Sequence, residues 1–375
     1  MNAYPLTLNE IGDNAAPSAK KELVAREAIA PMEVVSISSA ADGKKWDSFV
    51  QTCERATAYH LFSWRHVITE TFAHPCHYLA AIDSHGTWQG VLPLVHVRGW
   101  PFGNTLVSLP FVNYGGMLFK TSEAATRLID SAEELRKSVG ADLVELRHVE
   151  SCVALPTKSH KVTMILGLGP DADSQWKGLN GKVRNQVRKA QSSNLHSTIG
   201  QAELLDDFYR VFVRNMRDLG SPVLPKRFFS SVLDSFQDST RIIAIYQGAE
   251  VVSAGILHWF KDAMEVPWAS SLREFNSLCP NNLMYWEAIR FAIGRGFRTF
   301  DFGRCSPDGG TYKFKSQWNA KPVVLNWQYV AVEGNQLPDQ QDYGKKYQLA
   351  VNLWQHLPVG VTRIIGPSIR KRINL

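Results

Sequence analysis

The chain has 375 residues, 45% of them hydrophobic and 11% aromatic, with 41 Lys and Arg against 35 Asp and Glu. That apolar content excludes global disorder, and the length favours two domains over a single core. A net charge of +6 lies below what a dedicated DNA binder carries and suits anionic or phosphate-bearing partners.

Residues 1–32 are rich in Ala, Lys and Glu, are broken by Pro5, Pro17 and Pro31, and read as a mobile leader. A first strand is expected over 32–37, then helices over 46–55 and 64–72, where apolar residues recur at three- and four-residue steps. Residues 77–82 and 88–97 form a hairpin about the turn 83–86, and 105–110 is strand-like up to the loop Asn113-Tyr-Gly-Gly116. A helix over 121–139, capped by Thr121 or Ser122 and stopped by Gly140, precedes a strand over 142–148. Gly167-Leu-Gly169-Pro170 lacks the third glycine of a nucleotide fingerprint and reads as a linker.

The second half repeats this plan. Helices over 204–219 and 225–236 precede a hairpin, 241–246 and 251–260, about Gln247-Gly248. A strand over 263–269, a helix over 283–294 and a closing strand over 298–302 follow. The stretch 78–92 matches 242–257 in pattern, and 140–147 matches 296–304 with one inserted residue. The reading is mixed α/β, α+β in its sheets, built from two tandem copies of one unit. Its boundaries are 33–170 and 171–335, with a basic amphipathic tail over 336–375.

Chemistry-bearing residues gather after the closing strand of the second copy. Phe300-Asp-Phe-Gly-Arg304 runs into a Pro/Gly break and then Tyr312-Lys-Phe-Lys-Ser-Gln-Trp318, so Asp301, Arg304, Lys313 and Lys315 converge at one strand end. Two geometries are open. A short helix anchors Phe314 and Trp318, four apart, in the core; an extended segment puts Lys313 and Lys315 on one face. Both leave Lys315 beside a buried aromatic, where a cation steadies an oxyanion. Asp301 is either a general base or the ion-pair partner of Arg304 or Lys315. Glu145 is its counterpart in the first copy, but no Lys-Phe-Lys segment follows, which places the chemistry in the second. Lys182, Arg184 and Arg188 fall on a helix, Arg184 and Arg188 four apart, as either a phosphate clamp or a solvated face.

Three motifs carry a resemblance to a known family: Trp176 with Lys182-Val-Arg-Asn-Gln-Val-Arg-Lys-Ala190, Asn281-Asn-Leu-Met-Tyr-Trp286 with Asp301-Phe-Gly-Arg304, and Tyr312-Lys-Phe-Lys-Ser-Gln-Trp318. Together with the element order they resemble the Fem family of aminoacyl-tRNA-dependent peptidyl transferases. That family has two tandem acyl-CoA N-acyltransferase (GNAT)-like domains, and the likeness runs over about residues 33–332. The tail Leu353-Trp-Gln-His-Leu-Pro-Val and Ile365-Gly-Pro-Ser is similar to the Fem-related subgroup found with exosortase (PEP-CTERM) and exopolysaccharide systems.

The resemblance implies direct acyl or aminoacyl transfer to an amine on a cell-envelope or exopolysaccharide precursor, a sugar or a peptide, without a covalent enzyme intermediate. Lys315 and Asp301 become the catalytic candidates. Arg304, Lys313, Tyr312, Lys182, Arg184, Arg188, Asn282 and Tyr285 become the substrate contacts. No permanently bound cofactor is expected, and the carrier-activated donor is aminoacyl-tRNA or acyl-CoA. Leu278-Cys-Pro-Asn-Asn282 has no glycine to fold round a pyrophosphate, which disfavours CoA. A CoA-dependent N-acetyltransferase and a non-catalytic envelope assembly factor are the alternatives.

His74, Cys76 and His77 stand too close together to reach one ion jointly, so no metal is expected. Five scattered cysteines without a CxxC pair point to reduced thiols in a cytoplasmic protein. The first residues lack a signal peptide's apolar segment, and no apolar run is long enough to span a bilayer. The tail is either a cap on the second domain or a contact with an anionic surface of the inner membrane.

Overall fold

The structure is a computed structural model that describes residues 32–99, 103–307, 309–330 and 345–373. The expected leader, 1–32, lies outside these apart from Met32.

Thirteen strands among the described residues form one sheet. In the first half, β1 (Glu33–Ile37) is followed by α1 (Ala40–Thr52) and α2 (Ser63–Phe72). The strands β2 (Cys76–Ile82), β3 (Trp88–Gly99), β4 (Gly103–Val107) and the short β5 (Leu118–Phe119) come next. The helix α3 (Ser122–Val139) leads to β6 (Leu143–His148) and β7 (Thr157–Gly167). The caps of α3 follow from its sequence: the Thr121 hydroxyl accepts from the Ala124 N–H, and Gly140 closes the helix at φ 66°.

After α4 (Ala172–Gly178) and α5 (Gly181–Ser192), β8 (Leu195–Gly200) opens the second half. It continues through α6 (Leu205–Asp218), α7 (Lys226–Ser235), β9 (Thr240–Gln247), β10 (Glu250–Phe260) and β11 (Ala263–Ser271). Then come α8 (Pro280–Gly294), β12 (Thr299–Cys305), α9 (Gly310–Ser316) and β13 (Lys321–Val330). A helical hairpin, α10 (Lys345–His356) and α11 (Val359–Arg370), ends the described chain.

The strand order is β1-β2-β3-β4-β6-β13-β7-β12-β11-β10-β9-β8, with β5 on β3. Read from either edge it is the same unit: antiparallel strands, then a parallel pair, β4 with β6 or β11 with β12. At the centre the halves exchange their last strands. β7 pairs with β12, β13 pairs with β6, and β7 and β13 pair with each other.

The expected elements are present, with α1 beginning six residues earlier than its apolar period and α8 three residues earlier than expected. Four strands, β5, β7, β8 and β13, are absent from the sequence-based expectation. β5 has only two residues, and the other three alternate weakly. The edge strand β8 buries only Leu195, and β7 is polar over its first half. The expected linker after β7 begins at that strand's last residue, and the Leu168 N–H bonds to the Arg298 carbonyl.

Helices cover both faces. α6 and α7 bury Phe208, Phe212, Phe228 and Phe229 against Trp268, in a core that also takes Trp64 and Phe72 of α2. On the other face α8, apolar almost all round, is enclosed between the sheet and α5. Among the described residues no helix is long and apolar enough to cross a membrane.

Candidate active site

β11 and β12 run parallel for three registered pairs, Ala263 with Thr299, Met264 with Phe300 and Glu265 with Asp301. Beyond that point β11 continues to Ser271 and β12 to Cys305 without further pairing to each other. The strands diverge at the two carboxylates, and a cavity of about 660 Å³ opens there. It is lined by Val266 to Ala269, by Phe302 to Arg304, by Tyr285 and Lys315, and by Trp354 and Arg370 of the terminal hairpin. Parting strands at the carboxyl end of a parallel pair form a crevice with exposed backbone groups, a common place for a ligand.

A bulge shapes the mouth. Gly303 sits at φ 77°, and the register of β12 against β7 shifts between Asp301 and Arg304. This is the inserted residue that separates 296–304 from its first-half match. The bulge turns the Gly303 and Arg304 carbonyls toward α9, where Lys315 Nζ donates to them at 2.8 and 3.2 Å. An ammonium has three N–H donors, so one remains for the cavity. Lys315 is 4% exposed, and burial holds its pKa below the ordinary lysine value.

The segment that carries Lys315 is helical, which decides between the two geometries the sequence leaves open. Phe314 and Trp318 meet at 6.3 Å between ring centroids, and Trp318 packs near Phe302 and Tyr285. Lys313 is exposed, Tyr312 is half-buried, and neither lines the cavity.

Asp301 pairs with neither Arg304 nor Lys315. Its carboxylate accepts from Thr163 Oγ1 at 2.5 Å, from the Gly303 N–H at 2.7 Å and from the Tyr114 hydroxyl. Glu265 lies across the strand pair and accepts from Asn113 Nδ2. Burial raises both carboxyls, and the Asp301 charge adds to the rise of Glu265, which reaches about 8. Two such carboxylates together retain a proton at neutral pH. Tyr59 and Tyr114, buried beside them, are also raised by burial.

Asn113, Tyr114 and Tyr59 come from the first half, and Thr163 comes from the exchanged strand β7. Both halves therefore build this one site. Sequence reasoning missed Glu265, Asn113, Tyr114, Tyr59 and Thr163. A signal existed for Glu265, the sole acid in an otherwise apolar strand. The others reach the site only through strand exchange.

Arg304 packs its guanidinium 5.2 Å from the ring centre of Trp327, a ring that also carries Arg147 at 4.3 Å. Glu145 pairs with Arg147 at 2.8 Å, whereas Arg304 forms no ion pair among the described residues. Burial, with Arg147 and Arg370 nearby, lowers the Arg304 pKa to about 9. The positively charged residues that line the cavity are thus Lys315, Arg304 and Arg370. Lys182, Arg184 and Arg188 stand on α5, outside its lining; Arg188 lies over Trp176 at 5.4 Å. Asn282 is buried and donates to Gln186 of α5 at 3.2 Å, while Tyr285 lines the cavity.

The corresponding divergence in the first half, beyond Val107 and Glu145, holds a pocket of about 210 Å³ beside Arg147 and His148. The larger cavity is the one that carries Lys315.

Residues 180–316 match the acetyltransferase (GNAT) domain family, a range that runs from the cap of α5 to the end of α9. Among solved structures, FemX is similar at 16% identity and TM-score 0.62, over 78% of this chain and 96% of that one. A tandem GNAT protein from the clavulanic acid biosynthesis pathway is 11% identical at TM-score 0.52, over 80% and 97%. L-PGS from Bacillus licheniformis is 11% identical at TM-score 0.51, over 86% and 96%. No curated protein sequence matches the chain closely enough to add to these. The chain therefore has the fold of the tandem GNAT proteins, and residues 180–316 resemble the acetyltransferase (GNAT) domain family.

Proposed function

We propose that the protein transfers an acyl or aminoacyl group from a carrier to an amine, forming an amide by direct attack. The observation that carries this reading is Lys315 held at the divergence of β11 and β12, beside a buried carboxyl pair and at the wall of a cavity of about 660 Å³. The GNAT domain match supports the reaction class.

The acceptor enters as an ammonium and gives a proton to the Glu265–Asp301 pair. A carboxyl raised to about 8 is basic enough to take that proton once ionised, in a fraction that grows as pH rises toward 8. The amine nitrogen then attacks the carbonyl carbon of the donor. The C–N bond forms, and the oxygen becomes an oxyanion that the third N–H of Lys315 stabilises. Collapse breaks the bond to the carrier, and the second proton lost by the attacking nitrogen passes to the departing thiolate or alkoxide, leaving a neutral amide. The cavity supplies proximity, and Arg304 meets an anionic part of the donor or acceptor.

The donor is aminoacyl-tRNA or another activated acyl group, and the acceptor an amine on a cell-envelope or exopolysaccharide precursor. The second reading, CoA-dependent N-acetylation, is favoured by the family match. Against it stands the start of α8. Cys279 caps it in the left-handed region at φ 58° with no side-chain capping bond, and Pro280 removes one N–H from the first turn. Fewer amides are left to grip a pyrophosphate. Purified protein mixed in turn with charged tRNA and with acetyl-CoA, together with an amino sugar, tests both readings when amide product is followed by mass spectrometry. Product with acetyl-CoA alone would replace the first reading with the second; product with neither would remove both.

A further inference from the structure

The terminal hairpin has two faces of different character. Its inner face is fixed to the body. Trp354, Thr362 and Gly366 are buried, Gly366 lies against Val223, and His74 Nε2 bonds to the Lys371 carbonyl at 3.0 Å. Its outer face is aliphatic. Leu349 and Leu353, four apart on α10, are 69% and 65% exposed, and on α11 Val361, Ile364 and Ile365 are 41%, 75% and 40% exposed. Of the seven exposed large hydrophobic residues among those described, these are five. A sixth, Leu219, adjoins Gly220, which packs on Val351 of α10. Exposed apolar side chains scattered singly need no explanation, whereas a cluster on one hairpin does.

Charge accompanies the cluster. From Lys345 onward the sequence contains six Lys or Arg and no Asp or Glu. Arg363 lies within the aliphatic stripe of α11, and Lys371 and Arg372 follow at its end, all exposed.

We propose that the outer face of the α10–α11 hairpin docks on an anionic lipid bilayer. Leu, Ile and Val on one face with basic residues beside them match an interfacial surface, where apolar burial and attraction to acidic headgroups add. Single-stranded RNA would be met by stacking rings, and among the side chains described this face presents none. A second copy would bring like charges together across a two-fold axis. The same hairpin walls the cavity on its inner side with Val351, Trp354 and Ile369, so docking sets that wall against the lipid surface.

Flotation of the full chain tests this, with vesicles of phosphatidylcholine alone or mixed with phosphatidylglycerol. The protein is expected to float with the mixed vesicles at low salt and to remain below with the neutral ones. Leu353→Glu with Ile364→Glu should lower partitioning by about tenfold or more without changing the thermal transition, because both side chains are exposed. Arg363→Glu with Lys371→Glu should lower it as well and weaken its dependence on salt. Wild-type partitioning by the Leu353→Glu, Ile364→Glu variant, or no flotation with acidic vesicles, would overturn the proposal. So would self-association in sedimentation velocity that this variant abolishes, since the face would then belong to a second copy. None of these readouts depends on acyl transfer.

Discussion

Lys315 and Glu265 divide the proposed chemistry between a cation and a base, and their substitutions should separate cleanly. Lys315→Met removes the oxyanion donor and should cut turnover by about 10²–10³-fold, with circular dichroism unchanged, as read in the acyl-transfer assay. Glu265→Gln should flatten the pH profile. In the wild type the rate should climb as pH rises through about 8, where the buried carboxyl gives up its proton. The linked effect on stability has the opposite sign. The folded value lies above that of the unfolded chain, so the folded state binds more protons between the two. This contribution is complete below the unfolded carboxyl value, near 4.3, and is lost as pH rises through about 8. Urea titrations from pH 5 to 9 should show that decline in the wild type and a smaller one in Glu265→Gln.

The elements around the site depend on one bulge and one aromatic anchor. Gly303→Ala places a Cβ at φ 77°, 3.3 Å from the Val266 carbonyl, and should cost about 1–2 kcal/mol in denaturant unfolding. Activity should fall further than stability, because the two carbonyls that hold Lys315 flank the substitution. Trp318 is fully buried against Phe302, Phe314 and Tyr285. Its replacement by Ala should cost about 3–5 kcal/mol, measured by the same titration. At this scale most of the architecture was legible. Helices such as α3 have a full apolar period and recognisable ends, and Lys315 stands out beside large aromatics. The bulge was visible only as one surplus residue between the two copies. The carboxyl pair was half visible, since Asp301 stands in a striking-distance motif with Arg304 whereas Glu265 needs its cross-strand neighbour to acquire a meaning.

Across the whole molecule, exchange of β7 and β13 makes the halves interdependent. Residues 32–170 made alone would leave β6 and β7 without the β13 that lies between them, and 171–375 would lack the β7 that pairs with β12. Neither piece should show a cooperative thermal transition by itself, and the two made together should recover one. This long-range pairing was invisible in the sequence for a physical reason: strands announce their own alternation but not their partners, and β7 and β13 alternate poorly. The exchange also carries a consequence for how the protein is made. β13 sits at the centre of the sheet yet is its last strand to leave the ribosome, 163 residues after β7 ends (330 − 167). At roughly 5–20 residues per second, the edges of β6 and β7 stay unpaired for about 8–30 seconds in every round of synthesis. An N-terminal half exposed for that long is a natural client for a chaperone, and slower translation of residues 168–320 should lower the soluble yield.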